Sequence, residues 1–294
     1  MTFVCLGLIE RADGITLKHL YTVDRYDGDR RFLSPVAVYF DVPNREIYVA
    51  DGGTGLIVTL DQKGRYLGSF SHWRRDVVRK VEPTGVSVNS KRMVFVADTS
   101  ANRIWTYDYL GQPEGSISIT RDADPALPGK MAIDVDDNIY IVLRNARKVV
   151  VLDANGKKKT EIGNSDVEAC CDAALDGSGG VYLLSRKGDV VHMFNTKGLP
   201  IRKFGVHAFG DDGFSQPSAI DIDSKGRIWI VDTVAQVVKV FDRTGTPLGM
   251  FGGMGSEDGD FFFPTDLCFD NASNTLYIVE KNGRRLQAFT VVEK

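Results

Sequence analysis

Short apolar runs of Ile, Val, Tyr, Phe and Trp alternate along this chain with polar turns rich in Asp, Asn and Gly. Runs of four to seven such residues between turn residues predict strands. Residues 83–118, PTGVSVNSKRMVFVADTSANRIWTYDYLGQPEGSIS, and 217–252, PSAIDIDSKGRIWIVDTVAQVVKVFDRTGTPLGMFG, carry the same features in the same order. A proline opens an apolar run that ends in Asp or Asn. A second apolar run follows, and a third closes on D-x-x-G. The pattern recurs six times, opening at Pro35, Pro83, Pro128, Cys170, Pro217 and Pro264, in steps of 48, 45, 42, 47 and 47 residues. The first run ends at Asp41, Asn89, Asp134, Asp176, Asp223 and Asp270, and the second reads EIYVAD, MVFVAD, NIYIVL, GVYLLS, RIWIVD and TLYIVE. The tight turns are Asp61–Gly64, Asp108–Gly111, Asp153–Gly156, Asn195–Gly198 and Asp242–Gly245, where Asp or Asn before Gly supplies local hydrogen bonds and positive φ.

Each repeat holds four strands, joined by turns too short for a parallel crossover. Both faces of each small antiparallel sheet are apolar, so both must be covered, and radial stacking does this. A period of 40 to 50 residues with four strands reads as a propeller blade. The sequence therefore predicts an all-β fold, a six-bladed β-propeller with four antiparallel strands per blade, as a single domain over 1–294. The sixth repeat supplies only three strands, near 265–269, 275–280 and 285–291. An N-terminal strand at 15–22, preceded by the turn-like Arg11-Ala12-Asp13-Gly14, is expected to complete that last blade. The rival register uses 3–9 instead.

These motifs resemble the NHL-repeat family of six-bladed propellers, whose blade reads P-x-G-I-A-V-D, G-x-I-Y-V-A-D, N-x-R and V-F-D-x-x-G. The clearest matches are Pro83-Thr84-Gly85-Val86, Val96-Ala97-Asp98, Asn102-Arg103 and Tyr107-Asp108 with Gly111. Asn145 with Arg147, and Asn282 with Arg284, approximate the third element. The chain looks most like bacterial single-domain members, many of them exported, and export is implied by the resemblance alone. Repeats three and four depart from the pattern at Leu143, Ser185 and Cys170. Decay of the repeat explains this, and so does a site that overrode it.

Composition excludes some functions. The 294 residues are 43% hydrophobic and 26% charged, ordinary for a folded protein, and the net charge of −3 gives no global field for nucleic acid or membranes. No run of 18 apolar residues would span a bilayer, and the first residues lack the basic start of a signal peptide. Cys5, Cys170, Cys171 and Cys268 form no C-x-x-C, which removes the zinc-ribbon and thioredoxin readings. A Cys5–Cys268 bridge is left open.

By the geometry the resemblance implies, the loops after each second strand and between blades surround the wider mouth of a central channel. The third residue of each innermost strand should lie near it: Ala37, Gly85, Lys130, Asp172, Ala219 and Asp266. Small residues suit a crowded axis, so Lys130, Asp172 and Asp266 stand out. They form either a neutralised cluster or a small-ligand or cation site; two carboxylates with nearby carbonyls could hold Ca²⁺, but a lysine close by argues against a strong metal site. The residue closing each second strand, Asp51, Asp98, Leu143, Ser185, Asp232 and Glu280, reads as a turn cap rather than as a carboxylate array. The same face carries Arg74, Arg75, Arg79, Lys80, Arg103, Arg144, Arg147, Arg186, Lys187, Arg284 and Arg285. RNA binding would need exposed aromatics among them, and Trp73 stands alone against the acidic Asp211, Asp212, Glu257, Asp258 and Asp260.

Six-bladed propellers also include zinc lyases and cation-dependent lactonases. His19, His72, His192 and His207 do not converge in the pattern, and no G-x-S-x-G elbow or dinucleotide fingerprint occurs. The expectation is a monomeric, non-enzymatic scaffold offering its mouth to a protein, peptide or glycan through Lys130, Asp172, Asp266, Arg144, Arg186 and His207. No cofactor is expected, unless Asp172 and Asp266 hold Ca²⁺. The alternative is a Ca²⁺- or Zn²⁺-dependent hydrolase or lyase at the same mouth.

Overall fold

The structure, a computed structural model, describes residues 14–71, 82–121, 124–125, 127–144, 147–208 and 213–293. Among them are six four-stranded antiparallel sheets and no helix. Each of the first five sheets runs in chain order from the axis outward. The second, for example, is Pro83–Val88, Val94–Asp98, Arg103–Tyr107 and Pro113–Ser118. The sixth is Pro264–Asp270, Thr275–Glu280 and Arg285–Glu293, completed by Ile15–Val23 as its outer strand. Ile15 pairs with Glu293 and Val23 with Leu286, with an irregularity between His19 and Tyr21. The last blade is thus closed by the N-terminal strand in the expected register. The rival strand at 3–9, Cys5 and the turn residues 11–13 lie outside the described residues, as do His72, the 73–80 loop, Asn145 and Asp211–Asp212.

The turns form as their chemistry dictates. Asp61 Oδ1 accepts the N–H groups of Lys63 and Arg65 at 2.9 Å, and Gly64 sits at φ 77°. Asp108, Asp153, Asn195 and Asp242 repeat the device. Asp side chains bonding their own backbone two residues on are the usual stabilisers of such turns.

The buried apolar residues fall into six clusters, each shared by two adjacent blades. Val38, Phe40 and Ile47 of the first blade pack on Tyr277, Leu286 and Ala288 of the sixth, which closes the ring. Trp229 of the fifth stacks on Phe251 and meets Phe269 of the sixth, with centroids 5.9 and 5.2 Å apart. No helix of the described residues is long and apolar enough to cross a membrane.

The axis is crowded. A Cβ on Gly85 would lie 2.7 Å from the carbonyl oxygen of Gly129 and 3.0 Å from the Cα of Lys130, both main-chain atoms of the next blade. Gly68, on an outer strand, has nothing within 4 Å. Overpacking costs typically about 1–3 kcal/mol. Gly85→Ala should therefore lower unfolding stability by about that amount in denaturant melts. Gly68→Ala should leave it unchanged or raise it slightly, and equal effects would contradict the close approach at the axis.

Candidate functional site

The mouth is built by a bulge that every blade repeats. Strand pairing slips just after the first residue of each innermost strand, between Pro35 and Ala37, Pro83 and Gly85, Cys170 and Asp172, Pro217 and Ala219, and Pro264 and Asp266. A bulge leaves a residue unpaired and re-aims side chains. Here the unpaired residues are Val36, Thr84, Cys171, Ser218 and Thr265, and all five line the mouth. In the third blade the slip runs from Pro128 to Met131, so Gly129 and Lys130 are both unpaired. That longer bulge accompanies the entry of Lys130 onto the axis.

Lys130 Nζ lies 2.5 Å from Asp266 Oδ1 and 3.4 Å from Asp172 Oδ2. It also donates to the carbonyl oxygens of Ser218 at 2.9 Å and Thr265 at 3.0 Å. Burial works against the charged lysine, and the two carboxylates more than offset it, so its pKa stands above the ordinary value. Burial pushes Asp172 up to about 6 against the pull of Lys130, and raises Asp266 as well. The carboxylates also hold the ring together. Asp172 Oδ2 accepts Ile220 N–H of the next blade at 2.9 Å, and Asp266 Oδ2 accepts Val38 N–H of the first at 2.8 Å. Calcium prefers six to eight oxygen ligands. The oxygens suited to it here already surround an ammonium, so a metal ion does not fit with Lys130 in place. Among the described residues no three His, Cys, Asp or Glu side chains converge on a possible metal position.

Above this plug opens a basin of about 500 Å³. Arg144, Arg186 and Lys281 line it with Lys130 at the floor, and no carboxylate among the described residues does. The three rim cations occupy one repeat position, the residue after the second strand, where the other blades have Gly52, Thr99 and Thr233. Arg186 Nε reaches the Pro217 carbonyl at 3.4 Å. The side chains of Arg144 and Lys281 make no hydrogen bond or ion pair with the described residues. The basin hydroxyls are committed to main chain: Thr84 donates to Pro128 O at 3.1 Å and Thr233 to Pro264 O at 2.7 Å. Half-exposed Phe263 supplies an apolar wall. Cys171 also lines the basin, but burial pushes its thiol up to about 11, far from a nucleophilic thiolate.

Other expectations resolve differently. His207 is exposed and does not line the basin. His19 lies on the closing strand, and buried His192 bonds the Asp189 carbonyl at 2.9 Å. Arg285 is not on the surface. It is buried against Glu280 at 2.7 Å and ties down the 256–260 loop through the carbonyls of Ser256 and Asp260. Asp51, Asp98 and Asp232 are backbone caps: Asp51, for instance, accepts Leu33, Ser34 and Gly53 N–H. Sequence reasoning missed Lys281, although it stands in register with Arg144 and Arg186. It also missed Asp221, the fifth residue of its innermost strand. Asp221 enters a smaller chamber of about 170 Å³ on the far side of the plug and accepts N–H bonds from Ile222 and Phe269.

No family model matches the chain, so its likeness to NHL repeats rests on the motifs alone. No curated protein matches it either. Solved structures share the fold. Selenomethionine-substituted virginiamycin B lyase from Staphylococcus aureus has a TM-score of 0.64 at 12% identity, covering 95% of this chain and 100% of its own. A catalytically inactive His-to-Ala variant of virginiamycin B lyase from the same organism, with quinupristin, has a TM-score of 0.65 at 11% identity and the same coverage. A streptogramin B lyase has a TM-score of 0.66 at 12% identity, covering 96% of this chain and 100% of its own. At such identity the likeness shows the fold, a six-bladed propeller. It also corrects the expectation of a non-enzymatic scaffold, because these structural neighbours are lyases. The lyase-or-hydrolase alternative stands closer to them.

Asp221 gives a pH signature. Burial pushes its carboxyl up to about 7, with the two backbone N–H bonds pulling the other way. Folding then favours the protonated form. Its contribution to stability is complete below about pH 4 and is lost as pH rises through about 7. The stability of the wild type minus that of Asp221→Asn should fall between those values, with a slope approaching about 1.4 kcal/mol per pH unit. Urea melts across this range measure it, and a flat difference would show that Asp221 titrates normally.

Proposed function

We propose that this protein is an enzyme of the lyase class that takes an anionic small molecule in the basin at the channel mouth. One observation carries the reading: among the described residues the basin is lined by Arg144, Arg186, Lys281 and Lys130, with no acidic side chain. Its volume of about 500 Å³ suits a small molecule. Two guanidinium forks match carboxylate or phosphate in bidentate geometry. Arg144 and Lys281 carry no internal partner among the described residues, so a ligand anion need displace none.

Fixed positive groups aimed at developing negative charge are usually the largest catalytic contribution. Cleaving an ester or lactone by elimination breaks the alkyl C–O bond, forms a C=C bond and expels a carboxylate, while the proton of the neighbouring carbon passes to water in the open basin. Arg144 and Arg186 would hold that departing group, and Phe263 would shield one side of it from water. The structural neighbours are lyases, one of them solved with quinupristin. None of the histidines described in this chain lines the basin, so its chemistry is proposed to rest on the cationic groups.

Incubation with quinupristin and with a panel of carboxylated lactones and esters, followed by mass spectrometry, tests the class. A lyase yields products whose masses sum to that of the substrate, whereas a hydrolase adds one water. Hydrogen bonds to charged groups are worth about 1.5–3 kcal/mol. Arg144→Ala and Arg186→Ala should each lower kcat/KM about 10- to 100-fold and leave the melting temperature nearly unchanged. Their loss should also weaken the dependence of binding on salt. Full activity in the double variant would place the site elsewhere.

A further inference from the structure

We infer that the Lys130 ammonium is the resident cation of this channel, seated in an oxygen cage that takes a divalent metal ion, Ca²⁺ by preference, once the ammonium is removed. The inference does not depend on the lyase reading, because it concerns the plug beneath the basin rather than the cations around it.

The ammonium meets four oxygens, two from carboxylates and two from carbonyls, at 2.5, 3.4, 2.9 and 3.0 Å. An ammonium has three protons to give, so four acceptors around it exceed what a lysine needs. Oxygen-only donors with two negative charges are the set a hard divalent cation takes, with water filling the remaining positions. The cage is also held from outside. Asp266 Oδ2 is fixed by Val38 N–H at 2.8 Å, and Asp172 by Ile220 N–H at 2.9 Å and Ala173 N–H at 2.8 Å. Each of these bonds joins one carboxylate to main chain and none involves Lys130, so the carboxylates keep their direction without it. Of the six innermost strands, only the third leaves two residues unpaired at its bulge, and the second of them is Lys130. With the lysine in place, a metal ion would have to displace two ion pairs and two hydrogen bonds. The axial positive charge of this channel is therefore supplied by the chain itself.

The test uses the full chain and CaCl₂. Lys130→Ala empties the cage, and Lys130→Gln, one atom shorter, keeps a polar end while removing the charge. Isothermal titration and thermal melts in EDTA and in millimolar CaCl₂ should show Ca²⁺ binding at least tenfold tighter in both variants than in the wild type. The melting temperature should rise in the variants alone. Lys130→Ala with Asp266→Asn should lose the response. If Lys130→Ala unfolds in EDTA, recovery of the β-sheet circular dichroism in CaCl₂, but not in KCl of equal ionic strength, gives the same support. A wild type that binds Ca²⁺ as tightly as the variants would overturn the inference. So would two variants that neither bind the ion nor recover with it.

Discussion

The rest of the structure depends on how six innermost strands meet at an axis without pairing. Each presents a bare edge of N–H and C=O groups to its neighbour, and buried backbone groups of this kind must find partners. Side chains from the preceding blade supply many of them. Asp172 accepts Ile220 N–H, Asp221 accepts Phe269 N–H and Asp266 accepts Val38 N–H. Thr84 donates to Pro128 O, Ser87 to Met131 O, Ser218 to Thr265 O and Thr265 to Pro35 O. Polar residues inside otherwise apolar strands are thus first a closure device. The charge that the three aspartates bring is the cost of that device, and Lys130 offsets it at the mouth end.

This ordering explains what could be read in advance. The blades follow from short apolar runs punctuated by Asp and Gly, signals that act within one repeat. The strand at Ile15–Val23 was legible because the sixth repeat was one strand short. The lysine and its two aspartates stood out as departures from small residues at a shared position, and the structure joins them. The double bulge at Gly129 and Lys130 was not legible, since a slip in pairing depends on the partner strand. Nor was the fate of Arg285, which resembles a surface base in sequence but is drawn inward by Glu280 and the carbonyls of the 256–260 loop. Asp221 hid among residues that alternate regularly, because its role belongs to the next blade.

The basin shows a similar division of labour between repeat and exception. Where the second strand ends in a capping aspartate, the following residue is small or carries a hydroxyl, as at Gly52, Thr99 and Thr233. Where that cap is replaced, by Leu143, Ser185 or Glu280, a cation follows. Ser185 still receives Ala169 N–H, and Glu280 receives Phe262 N–H, so loop capping persists in altered form. Among the described residues, the rim cations of the basin come from the third, fourth and sixth blades, which gives a nearly six-fold ring a lopsided field. A ligand entering such a mouth is oriented as well as attracted, which symmetric repeats alone would not achieve.

The pairing of Ile15–Val23 with Arg285–Glu293 also governs how the ring is made. Strands near opposite ends of the chain must find each other, so the most distant contact in sequence is the one that seals the last blade. Contacts of this kind form slowly. During synthesis the early strand emerges long before its partner and must wait with its hydrogen-bonding edge open. The five blades between can assemble meanwhile, each on the one before. An open sheet edge is a template for pairing with another chain. Until Arg285–Glu293 is made, the nascent protein is therefore an incomplete arc with a sticky end, and the finished ring is what makes it safe.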